Sequence, residues 1–330
     1  MKKEGQISSD NLTVYRAVAM VMVVLYHCTC YYAHPYWPFG EGPYNAFLKA
    51  VTTLMGGIHM PVFVFISGYL FWMLKQKGHY KSIAEFYKKK FFRLIVPYLV
   101  VGVGLILMFD EIYAVKDMLY GICHLWFLLM LFFLFLLAPF FWKFFEKIKN
   151  DRVVTILIAS SFLLFPVFSK VGILTIAKVF YFLPFFLMGY VIQRRGKRAL
   201  YCDWVFWMGV LFFGVILFVF TPHLLFVEKV IREYASFVVI IVVSLIPNFS
   251  LPQKIKNVVT NFSNNSMGIY LFHHLFISYV IMVPSIKKWL DSTNSYFGVL
   301  LLFFTALVSS WILSILFNRF KFLRVLIGGK

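Results

Sequence analysis

Long apolar runs separated by short polar segments repeat along almost the whole chain. Ten of them are candidate membrane-crossing helices, at about 12–33, 50–74, 91–109, 120–142, 153–169, 172–193, 204–221, 235–250, 258–283 and 296–317. Segment 153–169 is short and weakly apolar, so nine and eleven are the neighbouring counts. Helix is the expected form because a backbone in lipid must satisfy its hydrogen bonds within its own segment. The pattern predicts an all-α fold, a polytopic transmembrane helical bundle forming one membrane domain over residues 1–330. Composition agrees: 62% of residues are hydrophobic and 21% aromatic, with mean hydropathy +0.83. A soluble core cannot bury such a surplus. The first span does not read as a cleavable signal, being too long and lacking a small-residue cleavage site.

Charge then orients the bundle. The formal net charge of +19 would suit nucleic acid, but the distribution of the basic residues argues against it. With the N-terminus inside, twenty-three Lys and Arg residues fall in inner segments and seven in outer ones. Arg16 and Lys178 fall within spans, and Arg93, at the inner end of the third span, is counted with the inner segments. This asymmetry predicts an N-in, C-in topology and accounts for the charge through the lipid bilayer alone, with no nucleic acid.

The polar groups inside the spans are unusual in kind. None of the thirteen carboxylates lies in the apolar core of a predicted span, so the buried Asp or Glu relay of many ion-coupled transporters is missing. Histidines occupy the spans instead: His27, His59, His124, His273 and His274, with the depths of the first four falling in the outer half. In the stretch RAVAMVMVVLYH, residues 16–27, eleven helical steps bring Arg16 and His27 onto one face. They lie about 16 Å apart along the axis. Neutral imidazole suits a general base near pH 7, and cationic groups near the cytosol suit a phosphorylated donor. The competing reading is that Arg16 snorkels to the surface and the histidines make helix-interface hydrogen bonds. The four cysteines, Cys28, Cys30, Cys123 and Cys202, lack the spacing of a metal site. No metal is expected.

Several stretches, taken in order, resemble the integral-membrane acyltransferase family 3, bacterial O-acyltransferases of cell-surface sugars. RAVAMVMVVLYH is similar to that family's Arg-x10-His pattern. HMPVFVFISGYLF resembles its second-span element of Phe followed by Ser-Gly-Tyr, here Phe63, Ser67, Gly68 and Tyr69. KKKFFRLIVPYL resembles the basic run leading to Arg93 and Pro97, and HLWFL the element carrying His124, Trp126 and Leu128. FFLMGYVI matches at Phe186 and Gly189, and NSMGIYLFHHLF at Ser266, Tyr270 and His273. His274 departs from the family pattern, where proline is frequent, and His59 stands where many relatives carry another residue.

The resemblance implies transfer of an acyl group, foremost acetyl, from cytosolic acyl-CoA to a glycan hydroxyl. No cofactor is expected to be bound, because acetyl-CoA is consumed as a substrate. The expected setting is the cytoplasmic (inner) membrane of a bacterium, with acyl-CoA, a glycan acceptor and lipid as partners. His27 is the expected general base, and Arg16 holds the donor or polarises its thioester. Arg93 and Lys90 are the candidate contacts to CoA phosphates, against the simpler reading of the basic run as a positive-inside signal. Ser67, His59, His124, Trp126, Tyr270 and His273 are candidates to orient His27 or bind the acceptor. For Ser67-Gly68 the alternative is helix packing, and for Trp126 an interfacial belt. The rival function is a glycan exporter or flippase component, which would need the same polar path through the bundle.

Overall fold

The computed structural model describes residues 6–34, 38–161, 163–196, 204, 207–212, 215 and 226–329. Among the described residues there are helices and no strands. Six helical stretches are long and apolar enough to cross a membrane: Ser9–Ala33, Ala46–Gln76, Ile83–Met108, Val115–Lys147, Ile173–Arg195 and Ser295–Arg319. Ser266–Met282 followed by Pro284–Ser292, bent by 87°, supplies a seventh when taken together. Arg152–Phe168 and Tyr234–Leu245 are shorter apolar helices. Predicted span 204–221 and the loop before it lie largely outside the described residues.

The helices are α1 (Ser9–Ala33), α2 (Ala46–Gln76), α3 (Ile83–Lys90), α4 (Val96–Met108), α5 (Trp126–Lys147), α6 (Asp151–Ser161) and α7 (Leu164–Phe168). They continue with α8 (Ile176–Arg195), α9 (Phe226–Leu245), α10 (Gln253–Asn264), α11 (Ser266–Met282), α12 (Pro284–Ser292), α13 (Ser295–Arg319) and α14 (Lys321–Leu326). Two compact units divide the chain: Met1–Leu12 with Pro61–Phe249, and Thr13–Met60 with Ser250–Lys330. The boundary falls inside α2, at its internal Pro61.

In the first unit, the latter part of α2 runs parallel to α5 and α8. Phe63 meets Phe127, Phe71 meets both Phe135 and Phe186, and Trp72 meets Tyr190, in the same chain order on each helix. The α2–α8 crossing is a backbone contact. A Cβ on Gly68 would lie 2.0 Å from the Phe186 carbonyl oxygen, and one on Gly189 would lie 2.0 Å from that of Phe65. Small residues give helices this approach in lipid, where dispersion between well-fitted surfaces replaces the hydrophobic effect. α3 starts sharply at Ser82, whose side chain accepts from Glu85 N, while Glu85 accepts from Lys81 N at 3.2 Å.

In the second unit, α11 packs closely on α13. Gly268 has no room for a side chain, because a Cβ there would lie 2.2 Å from Ser314 Oγ. The predicted span 258–283 is interrupted at Asn265. Its side chain donates to Asn261 O at 2.9 Å and accepts from Asn318 Nδ2 at 2.9 Å, so it competes with the regular helical ladder. Cys28 and Cys30 are buried free thiols in α1.

Candidate active site

α1 and α11 carry the polar core of the second unit, and they meet at two levels. At the lower one, Arg16 Nη2 donates to the Ser263 carbonyl at 3.0 Å and lies 3.4 Å from Ser266 Oγ. At the upper one, His273 Nε2 lies 3.1 Å from His27 Nδ1. Seven residues separate Ser266 from His273, which on a helix brings them back to within about 20° of one face. The eleven-residue step from Arg16 to His27 does the same on α1. Each member of the Arg16–His27 pair therefore has a partner on one stripe of α11, and the two helices run in the same direction.

The hydrogen bonds around the imidazoles assign their tautomers. A backbone carbonyl only accepts, so the contacts of His27 Nδ1 with Val23 O at 2.9 Å and of His273 Nδ1 with Ile269 O at 3.0 Å place a proton on each Nδ1. In the neutral ring, His273 Nε2 then carries a lone pair. It accepts from His27 Nδ1–H, which is shared with Val23 O. The same logic leaves the lone pair of His27 on Nε2, the nitrogen a base uses. His273 is fully buried, whereas His27 is only half-buried.

Aromatic rings complete the surroundings. Tyr26 packs edge-on against His27 at 5.0 Å between centroids and contacts His59 at 4.9 Å. His59 Nδ1 donates to Met55 O. His274 meets His27 edge-on at 5.4 Å, with Phe39 at 5.7 Å, and its Nδ1 faces Ser278 Oγ at 3.2 Å. Tyr270 is buried one turn below His273, with 6.1 Å between ring centroids. The second unit thus brings together Arg16, His27, His59, Tyr270 and His273 from the sequence-derived set, and adds Ser263, Ser266, Tyr26 and His274.

The remaining candidates belong to the first unit. Arg93 sits in a π-helical turn, Phe91–Ile95, between α3 and α4. Such turns interrupt α-helices with some preference at functional positions. Lys90 Nζ lies 3.5 Å from the Phe135 ring centroid. Ser67 is half-buried on the α2 face that also carries Phe63, one turn away. Its neighbour Gly68 is accounted for by the α2–α8 crossing. His124 is buried in a 3-10 turn, Cys123–Leu125, just before α5 rather than within it. Trp126 stacks on Phe182 at 5.8 Å, and Lys178 Nζ lies 4.3 Å from its ring. Protein groups therefore already use the Trp126 ring.

A profile of the acyltransferase domain of family 3 matches residues 10–319, nearly the whole chain. The chain belongs to acyltransferase family 3. With its apolar helices, it is a multi-pass membrane acyltransferase. No curated protein and no solved structure matches it. The family match runs across both units and includes both levels of the α1–α11 contact. Ser266 was visible in the sequence as part of a family-like motif. Its place beside Arg16 was not, because sequence alone does not say that the first and ninth predicted spans are neighbours.

Proposed function

We propose that this acyltransferase moves an acyl group, foremost acetyl, from cytosolic acyl-CoA to a hydroxyl of a cell-surface or lipid-linked glycan, with His27 as general base. The observation that carries the reading is the His27–His273 pair. The carbonyl-fixed tautomers leave His27 Nε2 as a proton acceptor and hold the ring through Nδ1. The acceptor O–H gives its proton to His27 Nε2 as its oxygen bonds to the thioester carbonyl carbon. The C–S bond then breaks, and the departing thiolate takes the proton back from His27. The imidazolium that exists between these events is stabilised by the lone pair of His273 Nε2 facing its Nδ1–H. Arg16, held by Ser263 and Ser266 about 16 Å along the helix from His27, binds the donor away from the reacting carbonyl, and Arg93 and Lys90 bind donor phosphates. The proposed site of action is the cytoplasmic membrane of a bacterium.

Purified protein in detergent, supplied with acetyl-CoA and glycan extracted from a strain lacking this chain, should release CoA and acetylate the glycan. His27→Gln keeps size and polarity but cannot take the proton, so turnover should fall by about 10²–10⁴-fold with melting behaviour unchanged. Substantial turnover by a folded His27→Gln protein would remove the general base from the proposal. Normal acetylation of surface glycans in a deletion strain, seen by mass spectrometry, would remove the reaction itself.

A further inference from the structure

The first unit contains a cavity of about 140 Å³ between α2, the 77–82 loop, α3 and α5, lined among others by Phe71, Lys75, Tyr80, Lys81, Phe86 and Trp142. Three of its rings form one wall. Phe71 stacks near-parallel to Tyr80 at 6.4 Å, and Phe86 contacts Phe71 at 5.3 Å and Tyr80 at 4.8 Å. Trp142 closes the far side. Its indole N–H is buried and has no hydrogen-bond acceptor. A buried donor without an acceptor is costly, and at the edge of a cavity it marks the place where a ligand acceptor would sit.

Cations surround this aromatic box. Lys75 lies over the Trp142 ring at 2.6 Å and is paired with Glu146 at 3.7 Å, so its charge is already balanced. Lys81 is exposed at the mouth. Lys90 Nζ lies 5.5 Å from the Phe86 centroid, and Arg93 is close enough to the Tyr80 hydroxyl to act on it electrostatically. Burial pushes the Tyr80 phenol up from its ordinary value, and Arg93 opposes that shift, so the phenol stays a neutral donor near neutral pH. The cavity holds about one benzene-sized ring and opens at its mouth, so a fused base enters with one ring against the wall and the other towards the opening. A ring seated here would leave any attached phosphates at the rim, near Lys81, Lys90 and Arg93.

We propose that this cavity is the seat of the donor's nucleotide end: a planar aromatic base packed on the Phe71–Tyr80–Phe86 wall, with a ring nitrogen accepting from the Trp142 indole N–H and its phosphates on the cationic rim. The inference rests on the reading of acyl-CoA as donor and assigns that donor's aromatic base to cavity residues that the family-like motifs do not name, with Lys90 and Arg93 of the basic run on the phosphate side. An anionic lipid headgroup shares the phosphate but has no ring to fill the box.

The test uses full-length protein in nanodiscs of zwitterionic lipid, titrated calorimetrically with ADP, CoA and pantetheine. ADP should bind and compete with CoA. Trp142→Leu removes the buried donor, and Lys81→Glu reverses a charge at an exposed loop position that the fold does not depend on. Each should weaken ADP and CoA at least tenfold and leave pantetheine binding as in wild type. The KM for acetyl-CoA should rise in parallel, with that for S-acetylpantetheine unmoved. Wild-type affinity for ADP in both variants would overturn the assignment, as would no ADP binding by wild-type protein. No ADP binding, together with phosphatidylglycerol stabilising wild type but not Lys81→Glu, would give the cavity to a lipid headgroup instead. Failure of the donor reading has a different signature: wild-type protein turns over no acetyl-CoA, whatever ADP does.

Discussion

His273 is the residue whose role is most sharply defined by its neighbours. It is fully buried, its Nδ1 proton is committed to Ile269 O, and its Nε2 faces His27 Nδ1 at 3.1 Å. It touches no substrate atom in the proposed reaction, so it is a positioning residue. His273→Ala should lower kcat more than tenfold while moving KM little, because acceptor and donor contacts lie elsewhere. His273→Gln retains a side-chain oxygen that can accept from His27 Nδ1–H, and it should recover a good part of the lost kcat. A structural role alone predicts otherwise: the loss would follow melting temperature, and Gln, a longer and more flexible polar chain in a buried site, would do no better than Ala. Turnover numbers and thermal unfolding of both variants, measured side by side in detergent, separate the two.

Among the elements, the α2–α8 crossing ties two stretches that looked independent in the sequence. Gly68 and Gly189 each face a carbonyl oxygen of the other helix, so neither position accepts a methyl group without the helices moving apart. Gly189→Ala should cost about 3 kcal/mol or more, the upper end for overpacking, because a backbone carbonyl cannot rotate aside as a side chain can. A wild-type melting temperature for Gly189→Ala in detergent would show that the helices do not pack this tightly. The helical character and the positions of most long helices were legible from apolar run length, and 3.6-residue periodicity puts Arg16 and His27 on one face of α1. Three features were not legible. The π-helical turn around Arg93 leaves no periodic trace in so apolar a stretch. The break at Asn265 depends on partners from α13, some fifty residues away in sequence. The wall that makes a cavity beside Trp142 arises from rings on three different elements. Each of these depends on tertiary neighbours, and a sequence read one helix at a time carries no information about them.

At the scale of the whole molecule, helix directions constrain how often the chain crosses the bilayer. In the first unit, α5 and α8 run parallel: Trp126 meets Phe182, Phe135 meets Phe186, and Phe145 meets Tyr190. Two parallel spans need an odd number of crossings between them, so the short apolar stretch Arg152–Phe168 must carry the chain back across. In the second unit, α1 and α11 run parallel through the Arg16–Ser266 and His27–His273 contacts. The crossings between them must also be odd in number. α2, α3 with α4, α5, Arg152–Phe168 and α8 already provide five, so segments 204–221 and Tyr234–Leu245 either both cross or both stay on one side. The apolar length of 204–221 favours crossing by both, which gives ten spans when α11 and α13 are included. With the basic loops inside, single cysteines in a background lacking the native thiols should then divide cleanly. Positions 79 and 199 should resist a membrane-impermeant maleimide in intact cells, and positions 43, 171 and 224 should react with it. Protection at 224 with the other four as expected would mean eight spans. Reaction at 79 would reverse the whole topology and, with it, the assignment of Arg93, Lys90 and the aromatic cavity to the cytosolic side where acyl-CoA is found.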